Sequence, residues 1–308
     1  MDLRVFTEPQ QGASYDTLLA AALAAEDAGF SAFFRSDHYL AMGDSAGMPG
    51  PTDAWLTLAA LGRETTTIAL GTLVSSMTFR HPGILAISVA QADQMSGGRI
   101  ELGLGAGWFK AEHDAYAIPF PDLGERFERL DEQLQIVTGL WDTPAGELFN
   151  HSGTHYSIVD SPGLPKPTRR PPIVVGGGGP RRTPRLAATF ADEFNIGFCT
   201  PDRAGEAFDR VTAACDVRGR DANEMVYSVA LATVCGENDA DIARRAAAIG
   251  RDVEELRENG LCGTPDQIAA RIHEFGTVGA GRIYTQILDL DDLDHIALIG
   301  ETIIPAIQ

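Results

Sequence analysis

Apolar runs of β type alternate with helical runs almost from one end of this 308-residue chain to the other, and nothing else in the sequence constrains its fold as tightly. Strands are expected over residues 3–7, 32–35, 68–75, 100–104, 173–175, 193–198, 226–234 and 282–288. Between them fall helical stretches over 15–28, 53–64, 82–94, 124–141, 184–191, 201–218, 239–258 and 265–277, with a last one near 292–303. Strict alternation implies parallel strands joined by right-handed crossovers, hence an open doubly wound sheet or a closed barrel. Eight repeats favour the closed (β/α)8 TIM barrel. A dinucleotide-binding sheet would need G-x-G-x-x-G after its first strand. The first loop here is Glu8-Pro9-Gln10-Gln11-Gly12, and the later Gly103-Leu104-Gly105-Ala106-Gly107 has the wrong spacing.

The rhythm breaks once. Residues 142–171 carry two proline-rich stretches around an apolar run, which reads as an insertion after the fourth βα unit, with a small hairpin or extended strand. The whole of 1–308 is otherwise expected to be one barrel domain.

Composition narrows the function classes. At 44% hydrophobic residues the chain can bury a large core. No stretch is long and apolar enough for a bilayer, and the start, Met1-Asp2-Leu3-Arg4-Val5, does not read as a secretory signal, so a cytoplasmic protein is expected. A formal net charge of −19 argues against nucleic acid and anionic membrane as partners. The four cysteines lie far apart, and the histidines show no metal-ligand spacing, so no metal site is expected.

In a (β/α)8 barrel, active sites form at the C-terminal ends of the strands. After the second strand comes Ser36-Asp37-His38-Tyr39, where an imidazole can exchange a proton near neutral pH and the adjacent carboxylate can orient it. The loop after the third strand is small and apolar, suited either to an aromatic ligand or simply to packing. After the fourth, Gly105 and Gly107 admit close approach of a ligand, with Trp108 and Phe109 as stacking walls and Glu112 and His113 beyond.

After the fifth strand, Gly176-Gly177-Gly178-Gly179 leads into a helix, with Thr183 placed to cap it and Pro184 at its first position. Free backbone N–H groups and the helix dipole make an anion cradle. Lys166, Arg169, Arg170, Arg181, Arg182 and Arg185 crowd the same stretch against an acidic background. The residues alone therefore point to a barrel with a phosphate-bearing, aromatic ligand and an Asp-His pair. They do not name the reaction.

At these residues the chain resembles the luciferase-like monooxygenase superfamily, in particular its deazaflavin (coenzyme F420)-dependent oxidoreductases. The similarity runs nearly end to end. It is carried by Ala24-Ala25-Glu26-Asp27-Ala28-Gly29-Phe30, Ser36-Asp37-His38, Leu70-Gly71-Thr72-Leu73-Val74, Phe79-Arg80-His81-Pro82, Gly97-Gly98-Arg99-Ile100-Glu101-Leu102-Gly103-Leu104-Gly105-Ala106-Gly107-Trp108, Gly124-Glu125-Arg126-Phe127 and Gly263-Thr264-Pro265.

The resemblance implies hydride transfer between the deazaflavin and a small organic substrate, with His38 exchanging the proton beside Asp37. It implies a bulge with a non-prolyl cis peptide at Leu73-Val74 backing the ring. Gly105, Gly107 and the Gly177, Gly178, Gly179 loop would lie around the ribityl chain and phosphate, with Arg182 as phosphate partner, in a homodimer. One departure stands out. Sugar-phosphate dehydrogenases of this superfamily carry a catalytic glutamate where this chain has Trp108, and Glu112, one helical turn on, is the nearest replacement for the second acid–base group. An FMN-dependent monooxygenase and a non-catalytic flavin-binding barrel are the alternatives on the same fold. The arginine cluster favours the longer anionic tail of the deazaflavin over FMN.

Overall fold

The computed structural model describes residues 1–43 and 45–307. Eight strands, β1 (Asp2–Thr7), β2 (Ala32–Arg35), β3 (Ala69–Thr72), β4 (Ile100–Gly105), β5 (Ile173–Gly176), β6 (Glu193–Gly197), β7 (Val226–Cys235) and β8 (Arg282–Ile287), pair in parallel in this order. The ring closes where Arg4 of β1 pairs with Tyr284 of β8. Helices fill the crossovers, as the alternation requires.

Alternate residues of each strand point to opposite faces, and each face has its own chemistry. One set, including Val5, Phe33, Leu70, Leu102, Val175, Ile196, Val229 and Ile283, joins the large apolar core shared with the helices. The other closes the barrel interior, where Phe6, Phe34, Val174, Ala230 and Tyr284 form a compact layer with Leu73. Toward the N-terminal ends this interior turns ionic. Arg4 of β1 donates to Glu101 of β4 at 2.6 Å, Arg282 of β8 binds Glu193 of β6, and Arg4 also reaches the Tyr284 hydroxyl. This floor seals the end of the barrel away from the strand C-termini.

Local signals place the helices. Ser14 caps Tyr15–Asp27, Asp53 caps Ala54–Glu64, and Pro82 and Pro265 open their own helices. The 142–171 segment contains the expected hairpin, Phe149–Ser152 against Ser157–Ser161. Its Phe149 ring packs onto Gly139 of helix Leu123–Asp142, where a Cβ would stand 2.2 Å from the ring.

Three expectations need correction, the first being the helix over 239–258, which is two, Asp239–Ala248 and Val253–Asn259, the second capped by Asp252. The third strand does not run unbroken over 68–75: it stops at Thr72, and Ser75 and Ser76 resume pairing with Leu104 and Gly105 of β4. Between them the Leu73–Val74 peptide is cis, and both side chains join the barrel-interior cluster. The helix after β5 starts at Arg182 rather than 184, and Arg181, without a side-chain cap, takes the capping position. Thr183 is buried, its hydroxyl oxygen 3.1 Å from where a Cβ on Gly179 would stand, so it packs under the glycine loop instead of capping the helix.

Candidate functional site

The C-terminal strand ends gather most of the expected residues. Val74, in the gap after β3, lies against the ends of β4 and β5. A Cβ at Gly103, Gly105 or Gly176 would stand 2.9, 2.9 and 3.2 Å from its methyl groups. Gly105 and Gly176 therefore make room for Val74 itself, while at Gly103 the Thr72 carbonyl, 1.9 Å from such a Cβ, is the tighter neighbour. Gly107 is needed for another reason: its φ is +75°, and a Cβ would meet Ser76 Oγ at 2.3 Å. Val74 thus joins the loop after β3 to the glycine loop after β5, while Ser75 next to it donates to Asp37 Oδ2 at 2.7 Å. His38 and the glycine loop share one mouth.

The partner of His38 is not its neighbour Asp37. Nδ1 of His38 lies 3.0 and 3.1 Å from the two oxygens of Glu112, and one of those oxygens also accepts the Tyr39 backbone N–H at 2.9 Å. A carboxylate only accepts, so Nδ1 is the donor. Nε2 has no protein partner among the described residues, and the ring keeps 16% exposure. Burial pulls the imidazole pKa down, and the hydrogen bond and charge of Glu112 outweigh it, leaving His38 above the ordinary histidine value.

Asp37 is engaged elsewhere. Arg80 grips its carboxylate with both terminal nitrogens and also reaches Asp53 Oδ2 at 2.6 Å and the Tyr39 hydroxyl at 2.8 Å. Asp53 serves two elements, because its other oxygen caps helix Ala54–Glu64 through the Trp55 and Leu56 N–H groups. A fully buried carboxylate at Asp37 is sustained by this guanidinium and by Ser75. The expectation that Asp37 orients His38 fails because Arg80, 43 residues on, is the stronger partner.

Glu112 lies on the short helix Lys110–Ala115 and is 1% exposed. Its oxygens are taken up by His38 Nδ1 and the Tyr39 N–H, on the side of the ring opposite the free Nε2. These contacts suit a carboxylate that orients the His38 ring better than they suit a second acid–base group. Its neighbour His113 is held within the protein: Nδ1 donates to the Phe109 carbonyl and Nε2 is hydrogen-bonded to the Thr78 hydroxyl at 2.6 Å. In front of His38, Trp108 and Phe109 stack on each other with centroids 5.3 Å apart, and both set the imidazole edge-on at 5.7 and 6.1 Å.

In the glycine loop, Gly177 has φ +135°, Gly178 has open space where a Cβ would stand, and neither Gly178 nor Gly179 has a protein acceptor for its N–H among the described residues. These features fit a phosphate cradle. The arginine cluster is smaller than its sequence density implied. Arg185 is paired with Asp131, Arg170 with Asp142 and Asp192, and Lys166 donates to the Leu140 carbonyl. Arg182, expected on the phosphate, turns Nη1 onto the carbonyls of Leu123 and Gly124. Arg181, at the head of the helix, carries no ion pair among the described residues.

Arg80, Asp53, Tyr39 and Ser75 acquired no role from the sequence. An arginine just past the third strand and a capping Asp just past the second carry no mark of contact, although a closed barrel brings all its strand ends together.

A model of the luciferase-like monooxygenase family matches residues 1–255. The chain belongs to that family. Among relatives, an F420-dependent glucose-6-phosphate dehydrogenase of Microbacterium testaceum is 36% identical over 178 residues, 58% of this chain and 51% of that protein. An F420-dependent hydroxymycolic acid dehydrogenase of Mycobacterium tuberculosis is 31% identical over 245 residues, covering 77% of this chain and 63% of that protein. The matches thus span about half to two thirds of the relatives' own length. Among solved structures, an F420-dependent secondary alcohol dehydrogenase with an F420-acetone adduct superimposes with TM-score 0.85 at 20% identity, over 100% of this chain and 99% of the other. At that identity the likeness concerns the fold of this luciferase-like protein.

Proposed function

We propose that this luciferase-like protein is a coenzyme F420-dependent oxidoreductase, with His38 as the proton-exchanging group. The observation that carries the reading is the unpartnered Nε2 of His38 at the mouth that also holds Val74 and the glycine loop, with Glu112 fixing the ring from behind. The relatives' names support the coenzyme.

The deazaflavin, when bound, supplies a carbon that accepts or gives up a hydride. The chain does the rest. Leu73 and Val74 would back the ring, Gly105 and Gly107 would flank its chain, and the free N–H groups of Gly178 and Gly179 with Arg181 would hold the phosphate, in a loop shaped by Gly177, whose own N–H donates to the Asn195 carbonyl. The Asp37–Arg80 pair keeps the β2 and β3 ends together, and Trp108 screens the imidazole from water. Nε2 takes the proton of a substrate hydroxyl during oxidation or returns it during reduction.

FMN has one observation in its favour. With most of the neighbouring basic groups engaged, the cradle offers little free positive charge for a long anionic tail. Titration of the protein with oxidised F420 and with FMN, followed by ultraviolet–visible spectra, separates the two. Saturable spectral change with F420 alone supports the proposal. Binding of FMN with oxygen uptake on its reduction overturns it.

We further read residues 1–308 as one cytoplasmic barrel domain, with 142–171 as its insertion, working as a homodimer. No helix among the described residues is long and apolar enough to cross a membrane. Leu56, Ile84 and Ile87 stand exposed on the neighbouring helices Ala54–Glu64 and Pro82–Ser96, apolar area that a second copy would cover.

The His38–Glu112 contact makes the pH response specific. A base works as neutral imidazole, so alcohol oxidation should rise with pH through an inflection above the ordinary histidine value. Glu112→Gln keeps an acceptor for Nδ1 but removes the charge, and the inflection should move to lower pH. The profile of kcat/KM against pH checks this, and an unmoved inflection would place the titrating group elsewhere.

A further inference from the structure

We infer that the substrate taken beside His38 is an uncharged alcohol, or its carbonyl counterpart, bearing an apolar or aromatic group, and that Trp108 sets this preference; the inference rests on the oxidoreductase reading above. Charge comes first. Glu112, Glu8 and Asp37 all bear electrostatically on His38, and Asp53 joins through Arg80 and Tyr39.

Arg80 and Lys110, the cations beside this carboxylate group, are each held in ion pairs. Arg80 is held between Asp37 and Asp53, and Lys110 is paired with Asp114 at 2.6 Å. Arg126 is buried with its guanidinium 3.7 Å from the Phe120 ring centroid, and it donates to the Gly107 carbonyl. The chain has only one other lysine, Lys166, which is bound to Leu140. A phosphate or carboxylate on a substrate beside His38 would meet these carboxylates, while the unpaired Arg181 lies at the glycine loop, on the coenzyme side of the mouth. Discrimination by an unpaired, desolvated charge is strong.

Shape points the same way. Trp108 is 66% exposed although its indole stacks on Phe109 and sets its edge to the imidazole. Tyr116, packed on Tyr39, is also exposed. Open aromatic faces next to a proton-exchanging group suit a flat or apolar substituent whose carbinol is delivered to Nε2. On oxidation the carbinol C–H leaves as hydride to the deazaflavin and the O–H proton goes to His38, so alcohol and carbonyl differ by two electrons and two protons, both accounted for.

The test has two arms. Without coenzyme, 1-phenylethanol should quench the tryptophan fluorescence of the protein, glucose 6-phosphate should not, and Trp108→Ala should abolish the response, since Trp55 and Trp141 are buried. With F420, 1-phenylethanol should reduce the coenzyme, and Trp108→Ala should raise its KM about tenfold, with the smaller share of the loss in kcat. Turnover or quenching by glucose 6-phosphate and not by the alcohol overturns the inference, as does a KM that Trp108→Ala leaves unchanged. Failure to bind F420 with the fluorescence pattern intact counts against the coenzyme reading and leaves the substrate class supported.

Discussion

His38→Ala lowers kcat by about 10²- to 10⁴-fold, the usual range for a positioned acid–base group, while F420 affinity stays close to that of the parent protein. The asymmetry follows from geometry. Among the described residues the imidazole makes no hydrogen bond to the glycine loop, and its one polar partner, through Nδ1, is Glu112. Removing it deletes a proton acceptor but leaves Val74 and the phosphate cradle in place. Loss of the ring also leaves Glu112 buried with one N–H from Tyr39, so some local relaxation is expected. Single-turnover reduction of F420 with coenzyme saturating separates chemistry from binding. Unchanged turnover would end the assignment of His38.

Arg4→Met destabilises the fold by about 3–5 kcal/mol, because it strands a buried carboxylate at the barrel floor. Arg4 and Glu101 are each 5% exposed, and the guanidinium also faces the rings of Phe34 and Tyr284. Glu193, the other floor carboxylate, has its pKa raised by burial despite the opposing pull of Arg282 and Arg4, so the layer has no spare positive charge to share. The partner change Glu101→Met in the Arg4→Met background should recover much of the loss, since the ion pair is then replaced by apolar volume. Urea unfolding of the two variants measures both effects. A single variant as stable as the parent would mean that the floor ions contribute little.

The alternation of 2-residue and 3.6-residue periods was enough to place all eight barrel strands, with ends off by one or two residues. The exception was the third strand, where the interruption at Leu73–Val74 leaves no trace in hydrophobicity. The short helix Lys110–Ala115 also went unread, being too brief to show a period. The helix start at Pro82 was right, the cap at Asp53 went unread, and the cap expected at Thr183 was wrong. There the choice between capping the helix and packing beneath the glycines depends on what lies under the loop.

By itself the sequence determined the barrel and therefore which residues reach its mouth, because strand and crossover periodicity are local properties and closure follows from their number. Only the tertiary structure decided who pairs with whom. Glu112 meets His38 across 74 positions, Arg80 takes Asp37 across 43, and Arg4 finds Glu101 across 97. Such pairings depend on through-space distance in a closed ring, where neighbours in space come from strands and loops whose separation along the chain carries no information about contact.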